Sequence, residues 1–179
     1  MILLTVAVVV LAVLCLLDLV LTLGVVRRLR DHNIRLQALQ GTGMDGFALP
    51  RPGDGISPFS AVAVSGETVT NDDLAEPTLI AFFTPDCPSC EEKLPGFLDY
   101  SREFAGGRTR VLGVVASESG GVRYRTALSE VATVVSERER GALQKAFNVT
   151  AFPSFLVVVD GTVAQATFDV ADLPVHEPA

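Results

Sequence analysis

Apolar residues follow two patterns along this chain. One long run opens the sequence, and shorter runs separated by polar, glycine and proline residues follow it. The first run covers residues 2–26 and is interrupted by one charged residue, Asp18. A helix of that length is about 37 Å long, enough to cross a bilayer core of about 30 Å. The pattern therefore predicts a transmembrane helix that remains attached to the protein.

A cleaved signal peptide is the competing interpretation of this run. No lysine or arginine precedes it, no A-x-A site follows it, and it is longer than a usual h-region. Leu14 stands before Cys15, where a lipoprotein signal has a small residue. We interpret Cys15 as an apolar filler. Asp18 is either a tolerated acid or a partner site within the membrane.

Polar segments separate this run from the rest of the chain. Leucines spaced among polar residues continue a helix at the membrane surface to about residue 40, which gives an anchor over residues 1–40. Residues 41–58 are rich in glycine and proline and predict a linker. The positive-inside rule would keep everything after the anchor in the cytoplasm, because arginines follow the apolar run directly, namely Arg27, Arg28, Arg30 and Arg35.

Beyond the linker, short apolar runs alternate with amphipathic segments over residues 59–172. Such an order is typical of an α/β domain with a mainly parallel sheet and helices on both faces. The predicted strands are a hairpin over 59–70, then 78–83, 110–116, 132–135, 156–159 and 162–168, the last two joined by Asp160-Gly161. The predicted helices cover 91–104, 122–128 and 138–147.

Composition excludes some functions. The net charge of −7 and the pI near 4.8 indicate no basic surface for nucleic acid. Three cysteines are too few for a scaffold held by disulfides.

Two of these cysteines stand at the junction between the predicted strand over 78–83 and the helix after it, in the motif Cys87-Pro88-Ser89-Cys90. Pro88 suits the first helical position, which makes Cys87 the N-cap and Cys90 the third helical residue. Both sulfurs then lie on one turn, with Cys87 exposed and Cys90 buried. A disulfide can close and reopen there, so we predict redox chemistry at this pair.

Nearby charges modulate Cys87. Free N–H groups at the helix start favour a thiolate by about 0.3–1 kcal/mol. Asp86, the adjacent residue, opposes it by about 0.7 kcal/mol at ~6 Å in a water-like dielectric. Because the two effects nearly cancel, we expect a redox couple nearer the reducing end than the strongly oxidising end.

Two other uses of a C-x-x-C motif are open on the sequence. Half of a zinc site would need two more ligands, and Cys15, His32 and His176 are all far away in sequence. A structural disulfide would close a ring too small to constrain the unfolded chain much.

Pro153 opens a predicted buried strand, where a proline offers no N–H to the sheet. One explanation is a cis Phe152-Pro153 bond that faces the dithiol and leaves the preceding backbone free to pair with an extended peptide. A trans proline that merely begins the strand is the alternative.

Together, Cys87-Pro88-Ser89-Cys90, Pro95 in the helix, the segment from Phe147 to Ser154 and the Asp160-Gly161 hairpin resemble the thioredoxin superfamily. The early hairpin and the apolar N-terminus resemble its TlpA/ResA branch. The motif, which lacks a Trp before the first cysteine, is similar to MauD-type proteins of methylamine utilisation. The resemblance covers about residues 43–170. It implies a thioredoxin-like central mixed sheet flanked by helices and preceded by one transmembrane helix.

The resemblance also implies roles. Cys87 attacks a disulfide, Cys90 resolves the mixed disulfide, and Pro153 is the cis-proline beside them, with Phe152 and Pro88 also facing the substrate. The chain departs from the family at three places. Thioredoxins carry a buried Asp where Ala81 stands, and ResA-like proteins carry a Glu where Lys93 stands, which leaves Glu92 as a weak substitute. Phe152 is also bulkier than the usual residue before the proline.

The function expected from these features is that of a membrane-tethered thiol-disulfide oxidoreductase. Exchange needs no bound cofactor or metal. The resemblance implies protein thiols and disulfides as partners, a membrane electron donor upstream, and a redox domain outside the cytoplasmic membrane that matures an enzyme or cytochrome. The arginines after residue 26 argue for the opposite orientation.

Two alternatives are carried forward. A peroxiredoxin-type thiol peroxidase is supported by Thr84, three residues before Cys87, although Ile80 stands where such enzymes have a proline. The other alternative is a non-catalytic module that holds a soft ion such as Cu(I) between the two thiolates. No His or Met stands near the motif as a further ligand, which argues against it.

Overall fold

The computed structural model describes Thr5 and residues 49–85, 87–117 and 119–174. The chain divides into two compact units, Met1–Asp45 and Gly46–Ala179, and the fold below is that of the second. Apart from Thr5, the predicted membrane helix over 2–26, with Cys15 and Asp18, lies outside the described residues, as do the rest of the anchor and residues 41–48 of the linker. Among the helices of the described ranges, none combines the length and the apolar character needed to cross a bilayer.

Seven strands and three α-helices alternate along the described domain. The strands are β1 (Ser60–Val62), β2 (Thr68–Thr70), β3 (Thr78–Phe83), β4 (Val111–Ala116), β5 (Thr133–Glu137), β6 (Ser154–Val159) and β7 (Thr162–Thr167). The helices are α1 (Pro88–Glu103), α2 (Val122–Ser129) and α3 (Ala142–Ala146), with short 3-10 helices at Asn71–Leu74, Gly107–Arg110 and Val170–Asp172.

The central sheet has the strand order β5-β4-β3-β6-β7. β3 pairs in parallel with β4, and β4 with β5, whereas the pairs β3/β6 and β6/β7 are antiparallel. The sheet is therefore mixed, as the thioredoxin resemblance implied, and not mainly parallel, as the alternation of elements favoured. The Asp160-Gly161 turn, where φ is 50° and 66°, accounts for the antiparallel pair β6/β7, since a two-residue turn of this kind joins only antiparallel strands.

β3 lies in the middle of the sheet and is buried on both faces. Leu79, Ala81 and Phe83 face a cluster that includes residues of α1 and α2. Ile80 and Phe82 face a second cluster with Leu143, Phe147 and the β1–β2 hairpin. A strand that is covered on both faces has a continuous run of apolar residues. The bounds of β3 therefore match those predicted from the sequence.

Helix α3 is shorter than the predicted helix over 138–147. Arg140 has a φ of 57° and Gly141 is extended, so the chain enters the helix only at Ala142. The Glu137 carboxylate accepts hydrogen bonds from the backbone N–H groups of Leu143 and Gln144 at 2.9 and 3.0 Å. This side chain caps the helix from outside, and Leu143 is buried as predicted.

Residues 53–57, which the sequence analysis assigns to the linker, are hydrogen-bonded to the domain. Gly53 N–H donates to the Val163 carbonyl at 2.8 Å and Ile56 N–H to the Gly161 carbonyl at 2.9 Å. Gly55 forms an isolated antiparallel bridge with Thr162. The segment therefore covers part of β7, which is otherwise the free edge of the sheet.

Candidate active site

The two cysteines occupy the turn between β3 and α1. Cys87 is the N-cap of α1, with the extended backbone angles φ −106° and ψ 108°, and Pro88 is the first helical residue. The Cys87 sulfur accepts a hydrogen bond from the Cys90 backbone N–H at 3.3 Å. The N-cap geometry predicted from the sequence is confirmed, because Cys87 has non-helical angles and the proline after it begins the helix.

The two sulfurs differ in environment. Cys90 is fully buried, Cys87 is partly exposed, and both are free thiols. Burial, followed by a hydrogen bond with Cys87, raises the pKa of Cys90 to about 12, while a backbone hydrogen bond from Thr84 acts in the opposite direction. Cys90 is consequently neutral at physiological pH, and only Cys87 is accessible to a molecule in solution.

Pro153 lies at the same place. The Phe152-Pro153 bond is cis, so that prediction is confirmed. The Cys87 thiol donates a hydrogen bond of 3.8 Å to the Phe152 carbonyl oxygen, although the two residues are 65 positions apart. Phe152 is half-buried and packs against both core clusters, while Pro153 is buried and Pro88 exposed. The segment predicted to contact the substrate thus borders the exposed sulfur.

Two charged residues of α1, Lys93 and Glu92, differ in their contacts. Lys93 forms an ion pair of 2.6 Å with Asp169, which raises the pKa of Lys93 and lowers the pKa of Asp169. Glu92 is exposed and lies on a groove of about 540 Å³ between α1 and the 3-10 helix at Val170–Asp172. Asp86 lies outside the described residues. Among the described residues, no hydrogen bond or ion pair joins Glu92 to either cysteine, so its modulating role stays a prediction.

Tyr124 is a residue near the dithiol that the sequence did not indicate. This residue of α2 is 4% exposed, and its ring centroid lies 5.7 Å from that of Phe83, the last residue of β3. Burial raises the pKa of Tyr124 to about 12, with further contributions from Cys90, Glu91 and Cys87. In the sequence, Tyr124 is only a tyrosine on the apolar side of a short predicted helix. That position does not show which residues it packs against.

Thr84, the residue that favoured a peroxidase, has a partner of its own. Its hydroxyl donates a hydrogen bond of 3.3 Å to the Ala116 carbonyl at the end of β4. Two arginines of α2 are also engaged, Arg123 with Glu91 at 2.9 Å and Arg125 with the Gly120 carbonyl. Over the described ranges, no group of three or more His, Cys, Asp or Glu residues could hold a metal ion.

Taken together, the mixed sheet, the flanking helices and the dithiol on the first turn of α1 define a thioredoxin-like domain. The sequence profile of the AhpC/TSA family matches residues 52–166. The chain belongs to that family. A comparison with curated proteins found no match.

Solved structures of low sequence identity share this fold. The thioredoxin domain of a thiol-disulfide oxidoreductase from Bacteroides vulgatus is 15% identical, with a TM-score of 0.52 over 69% of this chain and 92% of that one. A thiol:disulfide interchange protein of the thioredoxin family from Chlorobium tepidum is 23% identical, with a TM-score of 0.51 over 67% of this chain and 88% of that one. A thio-disulfide isomerase from Thermus thermophilus is 21% identical, with a TM-score of 0.50 over 67% and 87%.

Proposed function

We propose that this protein is a thiol-disulfide oxidoreductase in which Cys87 attacks a disulfide of a partner protein and Cys90 resolves the mixed disulfide. The observation that carries the proposal is the asymmetry of the pair: a partly exposed sulfur at the helix N-cap, beside a fully buried neutral thiol on the same turn. Cys87 is the only one of the two that a protein substrate can reach. Phe152, Pro153 and Pro88 border it and form the proposed contact surface for the substrate.

The exchange proceeds in two balanced steps. The Cys87 thiolate forms a bond to one sulfur of the partner disulfide, and the other partner sulfur leaves with the electron pair of the broken bond. Cys90 then attacks the Cys87 sulfur, its proton passes to the second partner sulfur, and the bond between Cys87 and the partner breaks. The partner is reduced to a dithiol and the pair Cys87 and Cys90 is oxidised to a disulfide. No cofactor is needed in either step.

The experiment uses the disulfide reagent dithiobis(nitrobenzoate) with the reduced full chain. All proteins carry Cys15→Ser, which removes the third thiol of the chain, and the intact Cys87–Cys90 pair should then release two equivalents of thionitrobenzoate. Cys90→Ser should release one and keep the other as a mixed disulfide on Cys87, visible by mass spectrometry. Cys87→Ser should lose the fast reaction, because Cys90 is buried. Full activity of both variants with a protein disulfide would exclude the scheme.

We further propose that residues 2–26 anchor the domain in the cytoplasmic membrane and that the domain acts outside it, on an enzyme or cytochrome during maturation, with electrons from a membrane donor. The apolar run supports the anchor, and the similarity of the motif to MauD-type proteins supports the side of the membrane. Arg27 and Arg28 argue for the opposite side. Protease added to intact cells should cleave the domain; protection in intact cells, with cleavage after lysis, would reverse the orientation.

A thiol peroxidase is the second candidate, because the AhpC/TSA family match favours it. In this case peroxide would oxidise Cys87 to a sulfenic acid, and Cys90 would condense with it to a disulfide and water. The hydrogen bond from Thr84 to Ala116 gives the threonine a structural role and does not require a peroxide. Peroxide-dependent consumption of dithiothreitol, faster with the protein than without it, would establish the peroxidase.

A further inference from the structure

Tyr124 carries a buried hydroxyl group that packing alone does not explain. The residue is 4% exposed, and its hydroxyl oxygen has no hydrogen-bond partner among the described residues. An unpartnered buried polar group costs about 1–3 kcal/mol, and most such groups in native proteins have a partner in some state. Phenylalanine would fill the same space without that cost.

The position of Tyr124 connects it to the dithiol. Tyr124, Phe83 and Cys90 belong to one buried cluster, against which Cys87 also packs. Arg123, the residue before Tyr124, forms an ion pair of 2.9 Å with Glu91, the residue after Cys90. This pair joins the start of α2 to the first turn of α1, the turn that contains Cys90.

Cys90 needs such a neighbour during the resolving step. Its sulfur is buried and neutral, yet it must lose a proton to attack Cys87. Ala81, in the same cluster, provides no polar group, and the carboxylates of Glu91 and Asp169 are paired with Arg123 and Lys93. A thiol is a weak hydrogen-bond acceptor, whereas a thiolate is a strong one. Tyr124 has a hydroxyl without a partner in the same cluster as the neutral thiol, and this hydroxyl can gain an acceptor when charge develops on the sulfur.

We propose that Tyr124 donates a hydrogen bond, directly or through one water, to the Cys90 sulfur as this sulfur becomes negatively charged in the resolving step. The inference rests on the proposed exchange function and adds Tyr124 to the residues that take part in it. The tyrosine itself stays protonated throughout. The Cys90 proton leaves to the departing partner sulfur, the Cys90–Cys87 bond forms, and the bond from Cys87 to the partner breaks.

The test compares Tyr124→Phe with Tyr100→Phe in the full chain. Tyr100 is the matched control, since it is the other tyrosine of the chain and its hydroxyl donates to the Pro174 carbonyl at 2.9 Å. Stopped-flow reaction of the reduced protein with dithiobis(nitrobenzoate) separates attack by Cys87, the first release of thionitrobenzoate, from resolution by Cys90, the second release. The Cys90→Ser background measures attack alone.

Tyr124→Phe should slow the second release about tenfold, the effect of losing one hydrogen bond to a charged group. The pH profile of the rate of the second release should move to higher pH, while the rate of the first release stays unchanged. Tyr100→Phe should behave as wild type in both phases. Thermal unfolding of the reduced Tyr124→Phe variant should show no loss of stability, because the ring remains.

The outcomes separate this inference from the function on which it rests. A second release with the wild-type rate and pH profile in Tyr124→Phe overturns the role of the hydroxyl and leaves the exchange scheme intact. Equal slowing of both releases together with lost stability also overturns it, since that pattern shows a structural role only. A wild-type protein that releases no second equivalent overturns the proposed function itself.

Discussion

At the scale of single residues, the site depends on two cysteines that share a helical turn and differ in burial. Cys87 borders solvent and Phe152, whereas Cys90 lies within the core cluster that contains Phe83 and Phe97. Burial penalises the charged form of a thiol, so the same residue type acquires two chemical roles three positions apart. The proposed order of attack follows from this difference in burial and not from the residues' identity.

The raised pKa of Cys90 predicts how the stability of the reduced protein depends on pH. The ordinary value is 9.0 and the folded value is about 12, so above pH 9 the unfolded chain loses this proton while the folded protein keeps it. The associated stability is therefore fully present below pH 9 and is lost as the pH rises towards 12, by about 4 kcal/mol at most. Urea unfolding of the reduced protein between neutral pH and about pH 10 measures the slope.

The control for this prediction is Cys90→Ser, which has no thiol to titrate at this position. Its free energy of unfolding should fall less steeply with pH than that of wild type over the same interval. Equal slopes for the two proteins would show that Cys90 titrates in the folded protein as it does in the unfolded chain.

At the scale of elements, α1 is held to the end of the described chain by the Lys93–Asp169 ion pair. Asp169 also accepts a hydrogen bond of 3.1 Å from the Ala171 N–H and so caps the 3-10 helix at Val170–Asp172. The side chains of the pair are 29% and 40% exposed. Since solvent screens a pair of this exposure, its contribution is modest.

A double-mutant cycle of Lys93→Met and Asp169→Asn should give a coupling free energy of about 0.5–1 kcal/mol. Because the lowered pKa of Asp169 reflects the same pair, this coupling should be present at neutral pH and be lost as the pH falls through the folded pKa of Asp169. The Asp99–Arg102 pair, 78% and 52% exposed, is the matched control and should show almost none. A coupling no larger than that of the control would contradict the prediction.

Glu137 also joins two elements, because this last residue of β5 caps the start of α3. Glu137→Ala leaves the N–H groups of Leu143 and Gln144 without this acceptor and should cost about 1–2 kcal/mol in the free energy of unfolding. Glu139→Ala, two residues on and exposed, should cost almost nothing. Urea unfolding measures both, and similar values for the two variants would remove the capping role.

The burial pattern of α3 could be predicted from the sequence, but its first residue could not. The apolar spacing of Leu143 and Phe147 correctly predicted which side chains are buried. It could not reveal that Arg140 adopts a positive φ or that a side chain from β5 supplies the cap. Burial follows from the local pattern, whereas the helix start depends on a contact made after the sheet has formed.

At the scale of the whole molecule, the mixed sheet brings the motif and the Phe152-Pro153 segment together. β3 leads into Cys87, and β6 begins one residue after Pro153. Because β3 and β6 are antiparallel neighbours with Phe82 opposite Ser154, the end of one strand meets the beginning of the other. The contact between Cys87 and Phe152 is therefore a consequence of strand order.

The redox potential is a property of this whole arrangement. The sequence predicts that the helix terminus and the adjacent Asp86 act on Cys87 in opposite directions by similar amounts, and on that basis we expect a potential well below the roughly −120 mV of strong oxidants. Asp86→Asn should raise the potential, since it removes the opposing charge and stabilises the reduced form. Equilibration with glutathione buffers measures both proteins. A wild-type potential near −120 mV would refute this balance of charges.

The sequence by itself determined the features that depend on neighbours along the chain. These are the buried run of β3, the two-residue turn at Asp160-Gly161, and the cap formed by Cys87 with Pro88, because each is a choice of backbone angles or burial made within a few residues. Only the tertiary structure decided that the Cys87 thiol meets the Phe152 carbonyl, that Lys93 pairs with Asp169, and that Tyr124 lies in one cluster with Cys90. Those contacts join distant parts of the chain, and the strand order and register that create them arise from the packing of all the elements at once.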